Sequence, residues 1–472
     1  MTINLLESFA ESVARCGDKP AIIEASGNIV SFNELAARAK GYEAHWSSQG
    51  LVKGDKVLIA MPVSADLYAA LAALWALGAV AVLPEPAMGL KGVRYALHAT
   101  GCKGLAASGP YRWLKWLLPQ LWFKPLYTPV LGSNVAPKHN ISAADTALIS
   151  FTSGSTGTPK AIARSHAFLH AQKTAVAPLL RSDEEESDLV AFPVFTLINL
   201  AEGRTTVLPN WRMSRMDKVT PDKLAQWMNQ QKVTRALLPP ALCESLAQSP
   251  SIPALKTVFT GGGPVFPDVV QNMQSTHRGL DVIAVYGSTE AEPIAHLNFA
   301  TVSKTDKDAM KNGAGLLAGK PVPEVQLRLV DGEITVAGQH VNEGYLDSAR
   351  DCETKIYVGD TVYHRTGDAG VLDDEGRLWL LGRHGNDINN VHPFSVESAA
   401  RLWPGVVRAA LVDIDGKAVL VIEGAKENLT SWVTAASEQF DIVDVRHVNA
   451  IPLDRRHRSK VDCPALVKQL QP

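Results

Sequence analysis

The chain has 472 residues, of which 46% are hydrophobic and 20% are charged. This composition excludes intrinsic disorder, and the length allows about three domain-sized units with large buried cores. The 46 lysines and arginines nearly balance the 48 aspartates and glutamates, so no nucleic-acid surface is expected. The five cysteines lie far apart without metal-ligand spacing, which indicates reduced thiols in a cytoplasmic protein.

The N-terminal part of the sequence predicts helices and buried strands. The first residues favour an amphipathic helix over a signal peptide, because Glu7 and Glu11 are interspersed with apolar side chains. An apolar stretch at 67–84 has about the length that spans a bilayer. It is rich in alanine and interrupted by Gly78, so a buried helix, a turn and a buried strand are favoured over a transmembrane segment.

The segment 111–124 is aromatic and basic and reads YRWLKWLLPQLWFK. It suits either a helix whose apolar side packs inward or a surface that contacts a membrane or an apolar substrate. The inward-packed helix is the favoured interpretation.

Short apolar runs alternate with helix-patterned segments through the N-terminal half of the chain. These runs lie at 57–60, 189–192, 236–238, 258–259 and 282–285. Such alternation is typical of parallel sheets with helices on both faces, in which ligands bind beyond the carboxyl ends of the strands.

From residue 316 onward the pattern changes to antiparallel strands. Apolar runs at 325–330 and 333–336 flank Asp331-Gly332, which predicts a β-hairpin. A further strand is expected at 378–381, and the polar stretch 384–390 is predicted to be an interdomain linker. The elements expected beyond it are a helix at 396–402, strands at 409–412 and 418–422, and a helix at 430–440.

The most informative stretch is SFTSGSTGTPK at 150–160, which follows a predicted strand at 147–149. A flexible loop at a strand end, rich in hydroxyls and backbone N–H groups, is how proteins hold phosphate oxygens. Lys160 adds a point charge that can follow a polyphosphate. The loop is not a Walker motif, because Ala161 follows the lysine.

Five further motifs follow this stretch along the chain. They are YGSTE at 286–290, GEITVAGQHVNEGY at 332–345, YHRTGD at 363–368, GR at 382–383 and SKVD at 459–462. All six together resemble the AMP-forming adenylating superfamily, which includes acyl-CoA synthetases, adenylation domains of peptide synthetases, and luciferases. The resemblance covers nearly the whole chain.

The resemblance implies an α/β fold in two domains. The large N-terminal domain, 1–382, is expected to hold two doubly wound parallel-sheet subdomains and a small antiparallel β region, and to bind ATP and the acyl group. A hinge at 383–390 is expected to connect it to a small, mobile α+β C-terminal domain, 391–472, which carries the catalytic lysine.

The resemblance also implies which residues bind the ATP phosphates and which carry out the chemistry. The residues expected to bind the ATP phosphates are Thr152, Ser153, Gly154, Ser155, Thr156, Gly157 and Lys160. Glu290 is expected to bind Mg²⁺, a hard cation that prefers carboxylate oxygen, with Thr289 near the α-phosphate. Lys460 is expected to bridge the substrate carboxylate and the α-phosphate in the transition state.

The nucleoside part of ATP has its own expected contacts. They are Gly262, Gly263, Tyr286, Gly287, Asp368 and Arg383. Tyr286 is expected to stack on adenine, framed by the two glycine backbones. Asp368 is expected to accept hydrogen bonds from both ribose hydroxyls, since an ionised carboxylate only accepts, and Arg383 to reach the ribose at the hinge.

The substrate acid is not expected to be an α-amino acid. Amino-acid-activating relatives carry an aspartate just after the aromatic residue of the fourth core motif, whereas residues 192–197 read FPVFTL. Ligases for aryl and fatty acids often carry Pro-Leu-Phe-His there, and Thr196 replaces that histidine. The residues expected to line the acyl pocket are Phe192, Thr196, Gly263 and Val265.

Three short stretches narrow the resemblance further. Residues 84–90, 192–197 and 455–460 resemble fatty-acyl ligases related to the β-lactone synthetases of olefin biosynthesis. This points to a role in fatty acid and lipid metabolism, on an acyl chain that is plain or β-hydroxylated.

The sequence departs from the superfamily just after Arg383. The usual hinge aspartate position falls on Gly385 and the usual lysine position on Asn389, and the loop that lines the thiol tunnel is about four residues short against the superfamily pattern. The acceptor in the second half-reaction therefore stays open between CoA, the phosphopantetheine arm of an acyl carrier protein, and a hydroxyl of the substrate itself.

The motifs favour an AMP-forming acid–thiol ligase. It would activate a non-amino carboxylic acid with ATP and Mg²⁺, release pyrophosphate, and pass the acyl group to CoA or a carrier-protein thiol. One alternative is a β-lactone synthetase acting on a β-hydroxy acid. Another is a binding protein that senses a nucleotide without turnover, which the intact Lys160, Glu290, Asp368 and Lys460 argue against.

Overall fold

The structure is a computed structural model, and it describes residues 4–84, 88–132, 139–152, 160–454 and 458–471. Contacts between residues divide the chain into two compact units. The first unit consists of Met1–Ser214, Gln231–Thr234 and Gln339–Lys355. The second consists of Arg215–Gln230, Arg235–Gly338 and Ile356–Pro472. The predicted domain boundaries at the 383–390 hinge are different from these and stay a prediction.

The first part of the chain alternates helices and strands, as its apolar runs predict. In chain order, these elements are α1 (Leu5–Cys16), β1 (Pro20–Ile23), β2 (Ile29–Ser31), α2 (Phe32–Ser48), β3 (Lys56–Ala60), α3 (Ala65–Ala76), β4 (Val80–Leu83), α4 (Gly89–Thr100), β5 (Gly104–Ala107), α5 (Leu114–Leu117), β6 (Leu126–Tyr127), β7 (Thr146–Thr152), β8 (Lys160–Ser165), α6 (His166–Val176), β9 (Ser187–Val190), α7 (Pro193–Glu202) and β10 (Thr205–Val207). Side chains fix several helix starts. Ser31 and Glu34, for example, form a reciprocal capping box at the start of α2.

The described strands of the first unit form two sheet regions. One sheet has the order β6-β5-β3-β4-β7-β8, in which every pair is parallel except β7 and β8. In the other region, β9, β10 and β1 are parallel neighbours and β2 pairs antiparallel with β1. The parallel pairing that the alternating pattern predicts is thereby confirmed.

The apolar stretch 67–84 is a helix, a turn and a strand, as the sequence favours. It contains most of α3, then Gly78 at φ +69°, then β4. Much of α3 lies in one hydrophobic core with residues of α1 and α2, which explains why the helix is apolar nearly all round. In the described part of the chain, no helix is both long enough and apolar enough to cross a membrane.

The segment 111–124 differs from the favoured expectation. It folds as a 3₁₀ helix at Gly109–Trp113, then α5, then a 3₁₀ turn at Pro119–Leu121. Leu118 and Leu121 are fully buried, but the aromatic side chains on either side of them in the sequence, from Tyr111 to Phe123, are exposed. The prediction that the apolar side packs inward is right for these leucines and wrong for the aromatic residues.

The second part of the chain changes from parallel to antiparallel strands. In chain order, its elements are α8 (Pro221–Gln230), β11 (Arg235–Leu238), α9 (Pro240–Leu246), β12 (Thr257–Gly261), α10 (Pro267–Thr276), β13 (Asp281–Ser288), β14 (Ala291–Asn298), α11 (Lys304–Lys311), β15 (Leu316–Pro321), β16 (Gln326–Val330), β17 (Glu333–Ala337), α12 (Asp351–Thr354), β18 (Lys355–Val358), β19 (Thr361–Leu372), β20 (Leu378–Arg383), α13 (Pro393–Ala400), β21 (Val406–Ile414), β22 (Lys417–Gly424), α14 (Leu429–Phe440), β23 (Asp444–Val448) and α15 (Cys463–Leu470). Of these, α12 belongs to the first unit.

The main sheet of the second unit begins as a parallel sheet and continues as an antiparallel one. Strands β11, β12 and β13 are parallel, and β14, β15, β20, β19, β17 and β16 follow with antiparallel pairing. The predicted hairpin is confirmed, because Asp331 and Gly332 join β16 to β17 at φ +52° and +80°. Two successive positive φ angles are typical of a type I′ turn.

Residues from 388 onward build cores on both faces of a separate small sheet. Strands β21 and β22 pair antiparallel, and β23 joins β22 in parallel. One core contains Val396, Trp432 and Ile442, and another contains Val412, Val448 and Leu466. The helices and strands predicted in this region are confirmed, and they form the small α+β arrangement expected at the C-terminal end.

Candidate active site

A cavity of about 880 Å³ lies in the second unit, at the carboxyl ends of β12 and β13. The sequence-predicted site residues that line it are Gly262, Gly263, Val265, Tyr286, Gly287, Asp368, Arg383 and Lys460. Ligand sites in parallel sheets occur at this end of the strands. Residues separated by up to two hundred positions in sequence are thus brought to one cavity, as the motifs predict.

Asp368 is the centre of a hydrogen-bonded trio in this cavity. The Tyr286 hydroxyl donates to Oδ2 of Asp368 at 2.8 Å, and Nη1 of Arg383 donates to Oδ1 at 2.8 Å. Asp368 and Arg383 are direct partners on the adjacent strands β19 and β20, which explains why they meet. Burial, with the nearby Asp368 carboxylate, raises the pKa of Tyr286 well above its usual value, so the phenol is neutral.

The segment that carries Lys460 packs against Gly263. A Cβ atom on Gly263 would lie only 2.5 Å from Cβ of Ser459, so a side chain there would collide with the neighbouring segment. The Asp454 carboxylate accepts backbone N–H bonds from both Ser459 and Lys460 at 2.9 Å. The backbone N–H of Ala241 donates to the Ser459 hydroxyl at 3.3 Å. These contacts hold Lys460, whose side chain is exposed, at the cavity.

Thr289 and Glu290 form the two-residue turn between β13 and β14. Both are half-buried, and neither is among the residues that line the cavity. Gly287 lies close to the backbone of Ala291, where a Cβ would meet a carbonyl oxygen at 2.8 Å. The sequence predicts a strand at 282–285 followed by the YGSTE motif, and the structure extends β13 through Ser288, which places the acid in the turn.

Sequence reasoning missed an ion-pair cluster next to the cavity. Arg401, which follows α13, is nearly buried and forms a bidentate pair with Asp268 of α10 at 2.8 and 2.9 Å. Glu244 of α9 lies 3.4 Å from Arg401 and also pairs with Arg408. No local pattern reveals these contacts, because the partners are 133 or more residues apart.

Two of the predicted phosphate-binding residues, Thr152 and Lys160, lie among the described residues of the first unit. Thr152 ends β7 and is the cross-strand partner of Lys160, which begins β8. The Lys160 ammonium lies 5.2 Å from the centre of the Tyr345 ring, a distance suited to a cation–π interaction. The other predicted phosphate ligands lie outside the described residues: Ser153, Gly154, Ser155, Thr156 and Gly157.

The residues predicted to line the acyl pocket divide between the two units. Phe192 immediately precedes α7 and packs edge-on against Phe195, with ring centres 6.1 Å apart. Thr196 is fully buried in the same helix. In the second unit, Val265 lines the cavity and packs against a core that includes Met310. A common pocket for these residues stays a prediction.

The stretch after Arg383, where the sequence departs from the superfamily pattern, ends in a tight turn. Ile388 and Val391 form an antiparallel bridge, and Asn389 and Asn390 between them have φ +54° and +65°. This is the geometry of a type I′ turn, which asparagine tolerates. Ile388 is buried in the C-terminal core, so the second half of the predicted linker is anchored to that core.

Comparison with known families decides the class of this site. The sequence profile of the AMP-binding enzyme family matches residues 9–346. The chain belongs to the AMP-binding enzyme family. It is therefore an enzyme of the AMP-forming ligase class, as the motifs predict.

The relatives of this AMP-binding enzyme include a β-lactone synthetase and a CoA ligase. It is 27% identical to an olefin β-lactone synthetase of Xanthomonas campestris pv. campestris over 92% of this chain and 89% of that protein. It is 25% identical to a 2-succinylbenzoate–CoA ligase of Oceanobacillus iheyensis over 84% and 82% of the two chains.

A solved structure confirms the fold. The o-succinylbenzoate CoA synthetase of Bacillus subtilis, in complex with its acyl-adenylate intermediate, superposes with a TM-score of 0.77 over 98% of both chains at 21% identity. The mixed α/β fold of this AMP-binding enzyme is therefore the one its motifs predict.

Proposed function

We propose that this enzyme activates a non-amino carboxylic acid, fatty or β-hydroxy fatty in kind, as an acyl-adenylate with release of pyrophosphate from ATP. The observation that carries the proposal is the convergence of Tyr286, Asp368, Arg383 and Lys460 on one cavity. These residues come from motifs far apart in the sequence, and the chemistry needs each residue type. The family match supports nucleotide use.

The Asp368 trio is suited to a nucleoside. Each carboxylate oxygen has two acceptor positions, so Asp368 can accept ribose hydroxyls while it stays bonded to Tyr286 and Arg383. The neutral Tyr286 ring offers a flat face for adenine, and the glycine backbones of Gly262 and Gly263 leave room beside it. Arg383 is the last residue of β20 and the first residue of the predicted hinge, and its side chain would contact the ribose.

Lys460 is the proposed catalytic cation. A carboxylate oxygen of the acid attacks the α-phosphorus, the bond from that phosphorus to the bridging oxygen breaks, and pyrophosphate leaves with the electron pair. Negative charge builds on the phosphoryl oxygens in this step, so a fixed ammonium favours the transition state over the ground state. The two backbone bonds to Asp454 position the residue that supplies it.

The phosphates and the metal would be held by the remaining motif residues. Lys160 and the hydroxyl-rich loop before it would bind the β- and γ-phosphates, and Glu290 would ligate Mg²⁺. The half-buried turn position of Glu290 suits this, because Mg²⁺ is usually bound by one or two carboxylates together with substrate phosphates. When bound, Mg²⁺ would neutralise charge on the phosphate oxygens.

The acyl acceptor that the motifs favour is a thiol, of CoA or of a carrier protein. A second candidate is closure of a β-lactone by the hydroxyl of a β-hydroxy acyl-adenylate. The tight Asn389-Asn390 turn favours this candidate, since the shortened loop normally lines the tunnel for the thiol. The olefin β-lactone synthetase of Xanthomonas campestris pv. campestris, at 27% identity over 92% of this chain, supports it as well.

The proposal predicts pyrophosphate release in the absence of any thiol. The assay would measure pyrophosphate release from ATP with fatty, β-hydroxy fatty, aryl and amino acids. Each acid is tested first without a thiol and then with CoA, and the products are identified by mass spectrometry. Release with fatty or β-hydroxy fatty acids supports the proposal, and silence across them contradicts it.

The same products distinguish the acceptors. Faster turnover with CoA and a thioester product identify the ligase reaction. A product that has lost one water relative to the β-hydroxy acid, formed equally with and without CoA, identifies lactone closure.

A further inference from the structure

The short segment Gly109–Leu121, with residues 122 and 123 after it, separates its apolar side chains onto two sides. Leu114, Leu118 and Leu121 pack into a core of the first unit. The other large apolar side chains of the segment are exposed: Tyr111, Trp113, Trp116, Leu117, Trp122 and Phe123. Phe123 has 97% of its surface exposed and Trp113 has 68%. Burial of the leucines therefore fixes this segment without using the aromatic rings.

The exposed aromatic surface is held in shape by its own hydrogen bonds. The Lys115 ammonium donates to the carbonyl oxygens of Leu121 and Trp122 at 3.0 and 2.9 Å, which caps the turn that follows α5. Nε1 of Trp122 donates to the carbonyl oxygen of Trp116 at 2.9 Å. The surface is thus pre-formed. Contiguous exposed apolar surface of this kind marks a site of interaction.

The stretch of sequence that contains this surface carries charged side chains of one sign. Residues 86–144 contain no aspartate or glutamate, whereas the whole chain has a formal net charge of −2. The lysines and arginines in this stretch are Lys91, Arg94, Lys103, Arg112, Lys115, Lys124 and Lys138. Such a one-sided charge distribution is complementary to an anionic surface.

Helix α4 carries part of this charge and packs into the same core as the aromatic segment. Lys91, Arg94 and His98 are exposed at helical spacing on one side of α4, while Ala96 and Leu97 pack into the same core as Leu118 and Leu121. Among the described residues, Lys91, Arg94 and Arg112 take part in no ion pair, so their charge is available to a partner.

We propose that this aromatic and basic surface, residues 109–123 with the exposed side of α4, binds peripherally to an anionic phospholipid bilayer. Tryptophan and tyrosine rings are amphipathic and favour the headgroup level of membranes. Exposed Phe123 and Trp113 supply apolar area, and the surrounding cations supply attraction to anionic lipids. Protein–protein interfaces are depleted of lysine relative to the rest of the surface, whereas residues 86–144 contain five lysines and no acidic residue. The proposal does not depend on the substrate of the enzyme.

The test is flotation of the full chain with vesicles, without ATP or acid. Vesicles of phosphatidylcholine alone are compared with vesicles that contain about 30% phosphatidylglycerol. The protein is expected to float with the anionic vesicles and to be released as salt rises. Failure to bind anionic vesicles overturns the proposal.

Variants assign the binding to this surface. Trp113→Ser with Phe123→Ser is expected to lower the bound fraction about tenfold, since both rings are lost from the bilayer. The matched control is Tyr357→Ser with Val443→Ser, which removes exposed side chains of the second unit and is expected to bind like the wild type. Equal binding by both double variants contradicts the proposal.

A charge variant keeps the test independent of the aromatic residues. Lys91→Glu with Arg94→Glu is expected to reduce binding to anionic vesicles several-fold, with the loss largest at low salt. Light scattering on the same proteins tests the alternative that a second copy of this chain covers the surface. Self-association that Trp113→Ser with Phe123→Ser abolishes, without vesicle binding by the wild type, would identify the surface as an interface between copies and overturn the proposal.

Discussion

Glu397 is a buried carboxyl group at the edge of the cavity. It lies in α13 with 7% of its surface exposed, and its Oε1 atom accepts the backbone N–H of Leu411 at 3.0 Å. Burial raises its pKa to about 8, against a smaller opposing effect of the Leu411 hydrogen bond and of Arg401. The carboxyl group is therefore mostly protonated at neutral pH in the folded enzyme.

This pKa predicts a pH-dependent effect of Glu397→Gln. Below the ordinary value of 4.5 the carboxyl is protonated in both states, and between 4.5 and about 8 only the unfolded chain releases the proton. The wild type thus loses stability as pH rises through this window, whereas glutamine keeps the acceptor for Leu411 without titrating. Glu397→Gln should match the wild type near pH 5 and exceed it increasingly toward pH 8 in urea unfolding.

An exposed residue of the same region supplies the control. Glu427→Gln, next to the start of α14, should follow the wild type at every pH. A constant difference between Glu397→Gln and the wild type from pH 5 to pH 8 would show that Glu397 is ionised in the folded enzyme throughout.

At the scale of elements, ion pairs connect the end of α13 and strand β21 to helices α9 and α10. Arg401 lies over the Phe266 ring, with its guanidinium carbon 4.6 Å from the ring centre, and forms its two-bonded pair with Asp268. The nearby Glu244 joins Arg401 to Arg408. A buried pair of this kind is weak evidence for stability but is costly to break from one side, because the remaining charge has no partner.

From this cluster we expect two substitutions whose effects on the free energy of unfolding are not additive. Asp268→Ala should destabilise the second unit by about 3 kcal/mol, because it leaves the Arg401 guanidinium buried with a weaker partner. Adding Arg401→Met should recover part of that loss, since the buried charge is then gone. Glu185→Gln, which breaks an exposed pair with Lys19, is the control and should change little. Additive losses in urea unfolding would contradict this account of the cluster.

The elements that the sequence predicts well are those with a local signal. The Asp331-Gly332 turn and the strand, turn and helix around Gly78 depend on neighbouring residues only, and both are confirmed. The exposed side of the segment 109–123 is missed, because Trp113 and Trp116 follow the same apolar pattern as the leucines beside them. The periodicity of apolar residues in a short segment does not predict which of them are buried in a core.

At the scale of the whole molecule, the site depends on pairs that are remote in sequence. The motifs name Tyr286, Asp368 and Lys460, yet what brings them together is remote in sequence. Tyr286 and Asp368 meet through the order of β13 and β19 in the sheet. Lys460 reaches the cavity because Ser459 lies against Gly263 and Ala241. The resemblance to a superfamily assigned these three residues to one site in advance. It could not supply Arg401 or Glu244, which belong to no motif and meet only in the folded chain.

The central claim is that this cavity forms an acyl-adenylate with Lys460 as its catalytic cation. The most direct test is the rate of pyrophosphate release with a fatty or β-hydroxy fatty acid, measured for Lys460→Ala and for Lys417→Ala, an exposed lysine on β22 of the same region. Lys460→Ala should be slower by about a hundredfold or more, and Lys417→Ala should match the wild type. Release at a near-normal rate by Lys460→Ala would contradict the account.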